Sequence, residues 1–119
     1  MVKNVQIKSD QWITVRAETG RGSMVCLLPP YLAAKAGLEH PPRKYRISLE
    51  GGGVLKLPGD MGMLVIDGKE SSTVILVSDR TEKALLGMDA LECLGAKTNM
   101  AGGQLQAHTR ARAGKAPKT

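Results

Sequence analysis

Few residues in this chain join a reactive side chain to a backbone setting able to position it. The clearest group is Glu18-Thr19-Gly20, a carboxylate beside a hydroxyl and a glycine, at the end of an alternating apolar run. A carboxylate can serve as a general base. Two carboxylates held close together cannot both ionise, so they share a proton and work as one base and one acid. The Thr19 hydroxyl can tie such a turn by hydrogen bonds, and Gly20 lets a second backbone approach closely. Arg21 follows at once, and a cation beside a carboxylate pair opposes the sharing of a proton. A Glu-Thr-Gly tripeptide alone is equally an ordinary strand-to-turn exit with a solvated Glu, because short motif matches are weak.

The other reactive types point away from chemistry. Cys26 and Cys93 are far apart and fall into no metal-ligand spacing. They read as two reduced, buried thiols. His40 lies beside prolines and His108 in a basic stretch, neither with a Cys or carboxylate at ligand spacing, so both read as surface residues and no metal is expected. Asp89 reads as a favourable charge at a helix start rather than as a reacting group. Trp12 and Tyr45 read as partly buried strand residues.

The elements that must hold Glu18 are mostly strands. Val5, Ile7, Ile13 and Val15 alternate around a polar Ser9-Asp10 turn, which predicts a hairpin with one buried face. Val25 to Leu28 is a short apolar strand ended by Pro29-Pro30, and Tyr31 to Gly37 has room for one or two helical turns. Tyr45, Ile47 and Leu49 alternate up to Gly51-Gly52-Gly53, and Val54, Leu55 and Leu57 resume beyond it. Three glycines between two strands predict a mobile hairpin tip. Pro58-Gly59 reads as a second turn. Met61 to Ile66, Asp67-Gly68 and Thr73 to Val77 read as another hairpin. Ala84 to Gly87 is a short buried strand, Met88 to Leu94 a helix closed by Gly95, and Gln104 to Gln106 a last strand. Short strands at regular spacing predict a small β-barrel or sandwich.

Three segments together resemble the retropepsin-like (clan AA) aspartic protease family. The first is Ala17-Glu18-Thr19-Gly20 with the strand Cys26-Leu27-Leu28-Pro29-Pro30 and the stretch Leu32 to Leu38. The second is the glycine hairpin at 51–53. The third is TVILVSDRTEKALLGMDALECLGAKTNM, from Thr73 to Met100. The resemblance covers roughly residues 3–106. It implies an all-β fold, a small closed β-barrel of the retropepsin-like acid protease type with one short C-terminal helix. It also implies a symmetric homodimer, since a chain of this size supplies half an active site. On this reading Glu18, Thr19 and Gly20 are the catalytic turn. Glu50, Gly51, Gly52, Gly53 and Val54 are the flap that covers a peptide or polyprotein substrate and excludes water. Water is the nucleophile and no cofactor is needed.

The chain departs from that family at the decisive residue, where Glu18 stands in place of Asp. One methylene adds about 1.5 Å of chain, catalytic placement tolerates about 0.5 Å, and a 1 Å error costs on the order of a hundredfold in rate. The loop from Arg21 to Met24 is also a residue or two longer than the family pattern. The expected function is thus an aspartic-type endopeptidase acting as a homodimer, its activity weakened or lost by Glu18. The alternative is a catalytically inactive dimerisation or peptide-binding module of the same fold, which needs backbone hydrogen bonds but no shared proton.

Composition bounds these readings. The chain's 119 residues suit one domain, expected over 1–107. Residues 108–119 read as a basic, disordered tail, with Arg110, Arg112, Lys115 and Lys118 and no acid, which supplies much of the net charge of +6. Nucleic-acid contact by that tail is a third reading. It is disfavoured by an aromatic content of 3% with no Phe, too little for a base-stacking platform. No apolar run approaches a membrane span, and the N-terminus lacks a signal-peptide layout, so the expected location is cytoplasmic with no membrane partner.

Overall fold

Alternation of apolar and polar residues sets the first hairpin. β1 (Val2–Lys8) and β2 (Trp12–Thr19) pair antiparallel from Val2↔Glu18 to Lys8↔Trp12, so Val5, Ile7, Val15 and Ala17 share one buried face. The computed structural model describes residues 2–19, 25–97 and 106–109, the last as backbone only. Gly20, Arg21, the rest of the loop to Met24, and most of the expected tail lie outside the described residues.

β3 (Val25–Leu28) is followed by α1 (Pro30–Lys35), which opens with Pro at its first turn, where a missing N–H costs nothing. β4 (Arg43–Ser48) and β5 (Val54–Ile66) flank the glycine tip. β6 (Lys69–Val77) returns through Asp67-Gly68, both at positive φ, as a tight hairpin turn requires. β7 (Ala84–Leu86) leads through Gly87 into α2 (Met88–Leu94), which Gly95 closes in the left-handed conformation. β8 (Gln106–Thr109) pairs with β4 and runs across the expected domain boundary after residue 107.

The sheet order is β1-β2-β7-β3-β6-β5-β4-β8, and a further β1–β5 pairing joins Gln6–Lys8 to Met63–Val65. That pairing closes six strands into a barrel, with β4 and β8 continuing outside the ring. The closed all-β barrel expected from the sequence is what the chain forms. α1 precedes the C-terminal helix as a second short helix.

One expectation fails at Pro58-Gly59, which is not a turn. β5 runs straight through it. Up to Gly59 the strand pairs with β4, and from Gly59 onward it pairs with β6. A Cβ at Gly59 would collide with the carbonyl oxygen of Ile75, so glycine is needed where the strand changes partners.

Two cores result. The barrel interior holds Val5, Ile7, Val15, Ala17, Cys26, Leu28, Leu64, Ile75, Ala84 and Leu86, with Ala33 and Leu38 from α1 and its exit. A second cluster lies on the outer face of β3, β6 and β7. There Val25, Leu27, Leu76 and Leu85 meet Tyr45, Ile47 and Leu57 from the β4–β5 hairpin and Ala90, Leu94 and Ala96 from α2 and its exit.

Candidate active site

Parallel pairing of β2 with β7 places the expected catalytic residues. Ala17 is in register with Ala84, Glu18 with Leu85 and Thr19 with Leu86. Successive side chains alternate faces, and Ala17, Ala84 and Leu86 belong to the barrel interior. Glu18 therefore shares the outer face with Leu85, the face roofed by the hairpin and α2. The sequence motif and the Leu85-Leu86-Gly87 motif, far apart in the chain, are adjacent strand ends in the fold.

Glu18 is half-buried there, its side chain 29% exposed, and Lys83 Nζ stands 3.6 Å from Glu18 Oε2. Lys83 is the last residue of the loop before β7. Its loop is held firmly. The Lys83 amide donates to Thr81 Oγ1 (3.2 Å), and the Thr81 hydroxyl donates to the Lys83 carbonyl (2.8 Å). The Arg80 amide donates to Ser78 Oγ, and the Tyr31 hydroxyl to the Glu82 carbonyl. Sequence reading sought a counter-charge in Arg21 and missed Lys83. The available signal was Thr81-x-Lys83 just before the Leu-Leu-Gly strand, but using it required the parallel register.

The expected flap residues form the β4–β5 tip. Gly51, Gly52 and Gly53 have φ of 86°, 104° and 95°, three successive left-handed residues that only glycine adopts readily. A Cβ at Gly51 or Gly52 would meet nothing within 4 Å, so the tip is open to solvent. Its base is tied down. The Glu50 amide donates to the Gly95 carbonyl (3.0 Å), the Lys97 amide to the Ser48 carbonyl (2.9 Å), and Leu49 bridges Ala96. The hairpin is thus latched to the chain's own segment after α2. Val54 at the tip's far side is 46% exposed.

The other residues singled out by type are placed by their own elements. The Tyr45 hydroxyl is buried among apolar side chains of the second cluster without a hydrogen-bond partner. Burial pushes its pKa up, with Arg43 opposing and Asp60 reinforcing the shift. Asp89 lies in the first turn of α2, where a carboxylate is favoured. Cys26 and Cys93 are free thiols, Cys26 buried and Cys93 partly so. Trp12 is 43% exposed and carries Lys8 Nζ over its ring at 5.8 Å, whereas Tyr45 is only 2% exposed. Among the described residues no group of three His, Cys, Asp or Glu side chains could hold a metal ion. No described helix is long and apolar enough to cross a membrane. An open cleft of about 520 Å³ lies elsewhere, lined by Pro30, Ala34, Leu38, His40, Pro41 and Pro58 among others.

No family model matches the chain, and no curated protein matches it. Among solved structures it is similar to the solution structure of the Simian Foamy Virus (mac) protease, at 18% identity and a TM-score of 0.48, over 82% of this chain and 98% of that one. It is also similar to the EIAV protease complexed with the inhibitor HBY-793, at 25% identity and a TM-score of 0.44, over 82% of this chain and 89% of that one.

Proposed function

We propose that the chain is an aspartic-type endopeptidase that acts on peptide or polyprotein substrates as a homodimer, with Glu18 of each subunit as the acidic group. The observation that carries this reading is the parallel register that sets Glu18 beside Leu85, on the outer sheet face against which the β4–β5 hairpin and α2 pack. One chain brings one such carboxylate to that face, while acid and base catalysis by carboxylates needs two. A twofold axis beside Glu18 supplies the second. One carboxylate then takes the proton of the attacking water, and the other donates a proton to the leaving amine. Thr19 and Gly20 hold the turn, and Glu50 to Val54 close over the peptide. The longer Glu side chain makes this a slow enzyme, because its carboxylate must be drawn back to the reacting distance.

The Glu18–Lys83 contact favours a second reading, a peptide-binding or dimerisation module without catalysis. An ammonium at 3.6 Å occupies a carboxylate oxygen that the dyad would use. Cleavage of a mixed peptide library between pH 4 and 7 separates the two. The peptidase reading expects slow cleavage that disappears in Glu18→Ala and accelerates in Glu18→Asp. Silence from both the unaltered chain and Glu18→Asp, with each folded, would leave the binding module.

A further inference from the structure

The solvent face of the β4–β5 hairpin carries an arrangement that the peptidase reading does not use. Tyr45, Ile47 and Leu57 point into the second cluster, so Lys44, Arg46 and Lys56 occupy the opposite face. Arg46 is the direct cross-strand partner of Lys56, and Lys44 lies two residues along on the same face. Like charges placed directly opposite in an antiparallel pair repel. Among the described residues none of the three has an acidic partner. The nearby acid Asp60 is already bound by Arg43 at 3.2 Å. β8 extends the same ribbon, with Lys44 in register with His108 and Arg43 with Thr109. The sequence after Thr109 contains Arg110, Arg112, Lys115 and Lys118 and no acid.

We propose that this face of β4 and β5 binds the phosphate backbone of nucleic acid, without sequence preference. Facing cations cost stability in the free protein and are relieved by a polyanion, which releases its own counterions on binding. Base-specific or stacking recognition is not built here, since among the described residues β4 and β5 present no aromatic side chain on this face. A membrane surface fits less well, because among the described residues of β4 and β5 Val54 is the one large exposed apolar side chain on this face and an interfacial anchor needs a broad apolar one. The proposal stands apart from the peptidase reading and survives its failure.

The test is fluorescence anisotropy of a labelled single-stranded oligonucleotide of mixed sequence with the full chain, from 50 to 200 mM salt. Three proteins are compared: the unaltered chain, the triple variant Lys44→Gln/Arg46→Gln/Lys56→Gln, and a variant with Arg110, Arg112, Lys115 and Lys118 changed to Gln. The unaltered chain is expected to bind. The triple variant should lower the slope of log K against log salt by about 2, at about 0.7 per phosphate contact. Over a fourfold salt range that slope is a difference of about twentyfold. Its melting temperature should not fall, because facing like charges are removed. Lys56→Arg should bind as the unaltered chain does, and Lys56→Gln alone should lower the slope by about 0.7. The proposal is overturned if the unaltered chain does not bind at 50 mM salt, or if the triple variant keeps both slope and affinity while the tail variant loses them. Binding to phosphatidylserine vesicles but not to the oligonucleotide would equally overturn it.

Discussion

Leu85 and Leu86 are neighbours on one strand and belong to different worlds. Leu86 points into the barrel, where side chains from all six ring strands meet, and it is fully buried. Leu85 points outward, beside Glu18, into a cluster completed by a hairpin and a helix that lie outside the ring. The interior is finished within one chain. It is closed by the β1–β5 pairing, and its side chains are apolar except where Thr73, two residues before Ile75 on β6, turns a buried hydroxyl onto the same face. The outer face holds the half-buried Glu18 carboxylate and a buried hydroxyl without a partner, and the hairpin that packs on it ends in a glycine tip open to solvent. The first region is a closed apolar core, and the second carries the carboxylate on which the proposed function rests.

The largest effect that would break this comparison is a leucine truncation. Leu86→Ala should cost about 2–5 kcal/mol and Leu85→Ala about 2 kcal/mol or less, because the outer cluster can collapse around a smaller side chain. Chemical denaturation measures both. Equal losses would mean that the two faces are one core.

A titration sharpens the contrast next. Burial holds the Cys26 thiol well above its ordinary value of 9.0. Above pH 9 the unfolded chain loses this proton and the native chain keeps it, so stability should fall with rising pH, by up to about 1.4 kcal/mol per pH unit for one group. Below pH 9 the contribution is fully present. Cys26→Ala should flatten the decline seen in urea melts at pH 9 to 10.5. The raised pKa of Tyr45 adds a decline of the same sign at higher pH.

The hairpin latch gives a smaller effect. Lys97→Pro removes the amide that donates to Ser48 and should cost about 1 kcal/mol. Hydrogen exchange should quicken at Leu49 and Glu50 while the amides of β1 and β6 stay protected. Smallest of all is Tyr45→Phe, which removes a hydroxyl that has no partner. It should leave stability unchanged or raise it by up to about 1 kcal/mol, and a thermal melt reads the sign.

Much of this was legible in the sequence, because local rules produced it. Alternation marked β1, β2 and β4, Asp67-Gly68 marked its hairpin, and Met88 to Leu94 formed the expected helix with Gly95 as its cap. What the sequence hid depends on pairing between distant strands. Nothing local says that Glu18 lies beside Leu85, so Lys83 was missed as its neighbour. Pro58-Gly59 resembles a turn by composition, yet the residues serve a strand that changes partners. The latch between Ser48–Glu50 and Gly95–Lys97 is long-range, and glycines that suggest mobility cannot reveal what holds their flanks. Gly20 and Arg21, two residues of the expected site, lie outside the described region.

The central claim is that the outer face is half of a site, completed by a second copy. A mixing experiment tests it most directly. A fixed amount of Glu18→Asp chain is assayed for peptide cleavage, alone and after equilibration with an equal amount of Glu18→Ala chain. If each subunit supplies one carboxylate, random pairing leaves about half of the starting number of fully acidic dimers, and the rate should fall to about half. An unchanged rate, with exchange of subunits verified, would show that one chain works alone and would contradict the account.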